Sequence, residues 1–335
     1  FSKRRFDLGK IGRYQLNKKL GSNASFTEED YLLNKEDLVH VVRSLIQLNN
    51  GERQIDDIDS LANRRIRGVG ELIGDRLRIG VLRVEKNTRD RMSTYGAEDL
   101  VTPSLLVNTK PISSSLNEFF GSSAVSRYMD QENILSELET KRRITAGGPR
   151  GLTKERASFS VRDVHSSHYS KLCPVTTPEG PSIGIVSHMA KYARVNDFGF
   201  LEAPYFRVLS NVSPSRIDSK NIVGHVLRED VKDSKDKVVL KKGKTLTKED
   251  LQKLKDAHID SLKVEPVVTN EVVYLDADGE KEYRIGRADL EKDEKGRLRA
   301  GNTYARYDGS YVNIPTENLD FVDINPGQIT GLGFS

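Results

Sequence analysis

The sequence predicts an α+β multidomain chain of mixed helices and antiparallel strands, with a loop-rich centre and a small β-rich inserted module. Three observations predict it. At 335 residues the chain exceeds one ordinary domain and implies two or three. Apolar residues recur at helical spacing in the first third, whereas beyond residue 183 they form short runs broken by Pro and Gly. Between these lies 121–162, rich in Gly, Ser, Thr and Arg and without sustained periodicity.

Taken in order, residues 6–26 read as short elements punctuated by Gly9, Gly12 and Gly21. A helix follows, capped by Asn34 and ended by Asn50-Gly51, with Leu38, Val41, Val42, Leu45 and Leu48 as its apolar stripe. That stripe is expected to be core. A long helical pattern covers about 66–94, and Ser113–Phe120 reads as a short helix ended by Gly121. Strand-like runs stand at Ile183–Val186, Ala190–Val195 and Tyr205–Leu209. Residues 217–264 look like a separate unit: strands at Val223–Leu227 and Lys237–Leu240, a helix capped by Thr247, and a returning strand at Ile259–Val264. From Pro266 the pattern is mostly β, with turns at Asp276–Gly279, Lys295-Gly296 and Asp308-Gly309.

No apolar run approaches the roughly 20 residues that span a bilayer, and the basic N-terminus lacks the apolar stretch of a signal peptide. The single cysteine, Cys173, excludes an internal disulfide, so a reducing cytoplasm is the default location. The first residue is Phe1 rather than Met, and both ends look cut from something longer.

Net charge is only +4, but its distribution is uneven. Arg64, Arg65, Arg67, Arg76, Arg78, Arg83, Lys86, Arg89 and Arg91 form one basic stretch. Lys141, Arg142, Arg143, Arg150, Lys154, Arg156, Arg162 and Lys171 form a second. Local excess of this kind fits a nucleic-acid surface or, more simply, a solvated face. Gly147-Gly148-Pro149-Arg150-Gly151-Leu152-Thr153-Lys154 is not a phosphate-binding Walker loop, because its Lys and Thr are in inverted order. Its glycines and cations still suit a flexible basic loop against a phosphate backbone.

Two candidate metal clusters are weak. Asp56, Asp57 and Asp59 could hold Mg2+, but capping and pairing with Arg64, Arg65 and Arg67 is the simpler reading. His165, His168 and Asp163, with Cys173 nearby, lack the four-ligand spacing of a zinc site. No catalytic residue and no metal ligand is assigned. From composition and spacing alone the chain is a cytoplasmic, multidomain protein with a basic centre and no self-contained active site.

The central residues carry a resemblance. Phe119-Phe120-Gly121-Ser122-Ser123, Met129-Asp130-Gln131, Lys141-Arg142-Arg143-Ile144, Gly151-Leu152-Thr153-Lys154-Glu155-Arg156-Ala157, Val161-Arg162-Asp163-Val164-His165 and Thr177-Pro178-Glu179-Gly180-Pro181-Ser182-Ile183-Gly184 stand in ungapped order. Together they closely resemble the β-subunit family of bacterial DNA-directed RNA polymerases. Asn63-Arg64-Arg65-Ile66-Arg67 and Phe198-Gly199-Phe200-Leu201-Glu202 resemble flanking blocks of the same family.

The resemblance implies a division into a lobe segment with connecting helices (1–104), a fork and rifamycin-pocket region (105–187), an external β-rich region (188–216 and 265–335) and the inserted module (217–264). It implies part of a nucleotidyltransferase that walls the active-site cleft and contacts template DNA and the RNA–DNA hybrid. Partners would be the β′, α, ω and sigma subunits, DNA template and RNA transcript, with no membrane. The fragment itself would need no cofactor and have no activity alone, the Mg2+ of the intact enzyme being held by β′. Nucleic-acid contacts would fall to Arg127, Arg143, Arg150, Lys154, Arg156, Glu179 and Ser182. The rifamycin-pocket positions map to Val125, Ser126, Arg127, Tyr128, Asp130, Thr140, Arg143, Thr145, Gly147, Pro178, Ser182 and Val186.

The chain departs from the family at this pocket. Ala124 and Arg127 stand where Gln is usual, and Thr140 where His is. Tyr128, Thr145, Gly147 and Lys154 stand where Phe, Ser, Leu and Arg are common. Thr140 removes an aromatic wall and Arg127 adds a charge that is costly to bury against an apolar macrocycle. Poor inhibition by rifamycins is the expectation. The alternatives are a free-standing nucleic-acid-binding module and a small metallohydrolase built on Asp163, His165 and His168.

Overall fold

The computed structural model describes residues 3–22, 27, 30–96, 102–153, 156–212, 224–232, 238–256, 259 and 262–334. The N-terminal part is helical: α1 (Lys3–Phe6), α2 (Gly9–Leu20), α3 (Lys35–Asn49), α4 (Val69–Met92), α5 (Pro103–Leu106) and α6 (Lys110–Ser122). The glycine-punctuated stretch near residue 10 is thus a 12-residue helix. Gly9 and Gly12 hide it from a propensity reading. Its Arg13 is fully buried and donates to both carboxylate oxygens of Asp37 at 2.8 and 2.9 Å, joining α2 to α3. Asp37 also closes the capping box with Asn34.

The apolar stripe of α3 is not core. Leu38, Val42 and Leu45 are exposed, as are Val39 and Ile46. The helix is secured instead by its cap and by Arg13. The long α4 packs on α6, and Gly80 permits the approach: a Cβ there would stand 2.9 Å from the Ile112 Cα.

The centre holds α7 (Ile134–Lys141), capped by the Asn133 side chain, the two-stranded antiparallel pair β1 (Arg143–Thr145) and β2 (Val186–His188), and the single turn α8 (Phe159–Arg162). The glycine loop after β1 is closed rather than loose. Leu152 N–H donates to Ala146 O, Gly151 N–H to Gly148 O, and Gly148 sits at φ +107° with space for no Cβ beside Val125.

The C-terminal half is built on one seven-stranded sheet. Its members are β3 (Arg194–Val195), β4 (Leu201–Val212), β7 (Leu262–Asp276), β8 (Ile285–Gly286), β9 (Asn302–Tyr307), β10 (Ser310–Pro315) and β11 (Phe321–Asp323). All pairs are antiparallel except β11 with β8. Apolar residues of β4, Ala203, Tyr205 and Val208, are buried in its core. The short α10 (Gly279–Glu282) follows β7.

The far ends of β4 and β7 run into a second, small core. There β5 (Val231–Lys232), β6 (Val238–Leu240) and α9 (Lys248–Asp256) enclose Leu227, Leu240, Leu246, Leu254 and Val264. Thr247 and Asp250 cap α9 reciprocally. The two cores are tied by the Arg228–Glu317 ion pair at 2.8 Å.

A buried polar joint fixes residues 169–171 against the large sheet. Arg306 donates to both oxygens of Asp323 at 2.9 Å and stacks 3.5 Å over the Tyr169 ring. Asp323 accepts also from the Tyr169 hydroxyl and from Gln328 Nε2. Lys171, wholly buried, pairs with Glu280, which also accepts from Tyr205. Every charge in this joint has an opposite partner, which a buried charge requires.

Candidate nucleic-acid interface

An open groove of about 770 Å³ lies between the 56–72 segment, β1 and the glycine loop. Arg64, Arg65, Arg67, Arg143 and Arg150 line it, opposed by Asp56 and Asp59. The backbone sets this convergence. Ile66 N–H donates to Gly199 O, pinning the 64–67 segment to the loop before β4. Arg143 opens β1, paired across to His188. Arg150 sits at the loop apex with φ +62°, an αL position costly for a side-chain-bearing residue.

The cations differ in their partners. Arg65 donates through Nη1 and Nη2 to Glu71 at 2.9 and 2.7 Å. Arg67 donates to Glu71 at 2.8 Å and to Asp75 at 2.5 Å. Hydrogen bonds from Arg65 and then Arg67 hold Glu71 down at about 2. Arg150 stands 3.9 Å from Asp75. No described carboxylate comes within ion-pair distance of Arg64 or Arg143. Burial, and then the neighbouring Arg127 charge, lower the Arg143 value.

The aspartate cluster is dispersed by its partners rather than used for helix capping. Asp56 pairs with Lys19 at 2.5 Å, Asp57 with His165 at 2.5 Å, and Arg65 and Arg67 turn forward to α4 instead of back to the aspartates. His165 is fully engaged: Nε2 faces Asp57 and Nδ1 faces Ser167 Oγ at 2.7 Å. His168 accepts from the His165 backbone N–H through Nδ1, and its buried Nε2 has no partner. Burial, and then the nearby His165, push its value down to about 4. Among the described residues no group of three or more His, Cys, Asp or Glu side chains could hold a metal ion.

Of the residues named from sequence, the groove brings together Arg143, Arg150, Val125, Thr145 and Gly147. Arg127 lies near enough to Arg143 to repel it, but outside the groove lining. Tyr128 is 96% exposed. Ser126 Oγ donates to Phe120 O, and Thr140 Oγ1 donates to Ser136 O with Asp130 at 3.4 Å. Arg156 and Glu179 are exposed and outside the groove lining; Pro178 and Ser182 are half-buried around the turn that leads into β2, and Val186, also half-buried, opens that strand. Lys154 lies outside the described residues. Sequence reasoning placed Arg64, Arg65 and Arg67 in a basic stretch but did not assign them to a site. It missed Glu71 and Asp75 entirely, although their i+4 and i+8 spacing from Arg67 on a helix start was a readable signal.

Comparison with known proteins agrees across the chain. Residues 1–67 match the family model for RNA polymerase Rpb2, domain 2, residues 127–195 that for RNA polymerase Rpb2, domain 3, and residues 261–325 that for the RNA polymerase beta subunit external 1 domain. The chain is 42% identical over its whole length to the DNA-directed RNA polymerase subunit beta of Dehalococcoides mccartyi, of which it covers 26%. It is 40% identical over 98% of its length to that of Syntrophomonas wolfei, covering 25% of it. To that of Koribacter versatilis it is 38% identical over its full length, covering 22%. The chain therefore spans about a quarter of the length of these relatives. On the match of three family domains in order along the chain, together with 42% identity to a β subunit over its whole length, this chain belongs to the RNA polymerase β-subunit family.

Proposed function

We propose that this chain is part of the β subunit of a cytoplasmic DNA-directed RNA polymerase, where it walls the active-site cleft and contacts template DNA and the RNA–DNA hybrid. The observation that carries this reading is the arginine-lined groove, in which Arg64 and Arg143 have no carboxylate partner. Guanidinium groups free of internal ion pairs bind phosphate through charge-assisted, bidentate hydrogen bonds. The groove is open to solvent and lined by separate chain segments, which suits a strand of nucleic acid better than an enclosed pocket for a small substrate would.

The partners under this reading are the β′, α, ω and sigma subunits, the DNA template and the RNA transcript. The Mg2+ of the intact enzyme is assigned to β′. Among the described residues of this chain, no group of three or more His, Cys, Asp or Glu side chains converges to hold a metal ion. This chain's part is to position nucleic acid, with Arg143 held on β1 and Arg150 at the loop apex. The finer contact set, Arg127, Arg143, Arg150, Lys154, Arg156, Glu179 and Ser182, belongs to the same proposal.

The test is a photo-crosslinking residue in place of Leu152, which lines the groove, in polymerase assembled with the full-length chain on a DNA–RNA scaffold. Labelled nucleic acid is the expected product. Labelling of protein alone would overturn the reading.

A further inference from the structure

Five arginines line the groove, but they are not electrostatically equal. Arg65 and Arg67 lie on the short extended stretch before α4, and the first two turns of that helix present Glu71 and Asp75 to them. The geometry is specific. Glu71 takes two hydrogen bonds from Arg65 and one from Arg67 Nε; Asp75 takes Arg67 Nη2. These contacts leave Arg65 Nε and Arg67 Nη1 as N–H donors not used by the two carboxylates. Two positive charges are therefore matched by two negative ones. Asp75 also stands 3.9 Å from Arg150, on the far wall. Arg64 and Arg143 have no such counterpart.

We propose that Glu71 and Asp75 are specificity-determining residues of the groove: they hold Arg65 and Arg67 as oriented but charge-neutralised donors, so that the electrostatic affinity comes chiefly from Arg64 and Arg143, which have no carboxylate within ion-pair distance. This inference rests on the reading of the groove as a nucleic-acid surface. The reasoning is that sequence-independent binding grows with each phosphate neutralised by a net cation, through counterion release. A fully cationic groove would capture any nucleic acid. A groove with two neutralised arginines keeps their hydrogen-bonding directionality while lowering that indiscriminate term. The low Glu71 value keeps the carboxylate ionised throughout the physiological range, so the neutralisation is permanent rather than switched.

The experiment uses polymerase assembled with the full-length chain and measures binding of a duplex DNA probe of unrelated sequence between 50 and 200 mM salt. For Glu71→Gln with Asp75→Asn, affinity at low salt rises and the slope of log K against log salt steepens by about 0.9 per freed arginine, a further loss of about 3- to 12-fold across that range. Glu71→Asp, which keeps the charge, holds the parent slope. The parallel variant Arg64→Ala tests the underlying reading, with a shallower slope expected. A double variant that binds more weakly at every salt concentration with an unchanged slope would show a merely structural role and overturn the inference. If Arg64→Ala shifts the slope but the double variant does not, the inference fails and the groove stands. If neither shifts it, the groove reading itself fails.

Discussion

Asp57 and His165 stand 108 positions apart in the chain and meet at 2.5 Å, Oδ2 to Nε2. The contact clasps the 56–61 loop to the turn that precedes the buried joint, reinforced where Ser167 Oγ accepts the Leu61 N–H. Beneath it, the His165 backbone N–H donates to His168 Nδ1. His168 is thereby committed to a neutral ring in a site that cannot solvate a proton.

The consequence is a pH dependence of stability. The folded His168 value, about 4, is below the 6.5 of an unfolded chain. Between those values the unfolded state binds more protons, so this contribution is fully present above about pH 6.5 and is lost as pH falls toward 4. Asp57, held low by the Asp59 backbone N–H and then by His165, adds a further loss only at more acidic pH. Denaturant titrations at pH 7 and pH 5 are expected to differ by about 1–2 kcal/mol from His168. His168→Gln is expected to flatten that difference; an equal slope in both proteins would refute the assignment.

The Arg13–Asp37 pair predicts a large single-residue effect. Both side chains are buried, and Asp37 simultaneously caps α3. Arg13→Met leaves an unpaired buried carboxylate and is expected to cost about 3–5 kcal/mol in urea denaturation. Arg13→Lys cannot reproduce the two-pronged contact and is expected to rescue only part of it.

Gly80 sets the α4–α6 distance. An added methyl at this position meets the Ile112 backbone, which cannot turn aside as a side chain would. Gly80→Ala, normally favourable in a helix, is expected instead to lower stability by about 1–3 kcal/mol. Gly74 on the same helix has open space at its Cβ position and serves as the control, where Ala is expected to be neutral or stabilising.

Much of the local structure was legible. Asn34 with Asp37 and Thr247 with Asp250 are capping signals written within four residues, and the structure bears both out. The long α4 and the β-rich second half followed from periodicity alone. What was not legible depends on partners far along the chain. Nothing near Lys171 announces Glu280, 109 positions away, and nothing near Tyr169 announces Asp323. The α3 stripe misled because periodicity shows which face is apolar, not what covers it. In the groove, the arginines were visible as a basic run, but which of them carry net charge was decided by Glu71 and Asp75 in three dimensions.

The departures at the pocket that resembles the family's rifamycin site support a separate proposal. Thr140 spends its hydroxyl on Ser136 O, and Arg127 stands near a second guanidinium, Arg143. We infer weak binding of the apolar macrocycle there, since burying that charge pair is unfavourable. Assembled enzyme is expected to resist rifamycins in a transcription assay, and Thr140→His with Arg127→Gln to gain sensitivity. Inhibition of the unmodified enzyme at concentrations effective on sensitive polymerases would contradict this.

The central claim, that the arginine groove binds nucleic acid, is tested most directly by the salt dependence of scaffold binding in polymerase carrying Arg64→Ala and Arg143→Ala. Loss of two phosphate contacts predicts a slope shallower by about 1.4–1.8, with thermal stability unchanged. A slope equal to that of the parent enzyme would contradict the account.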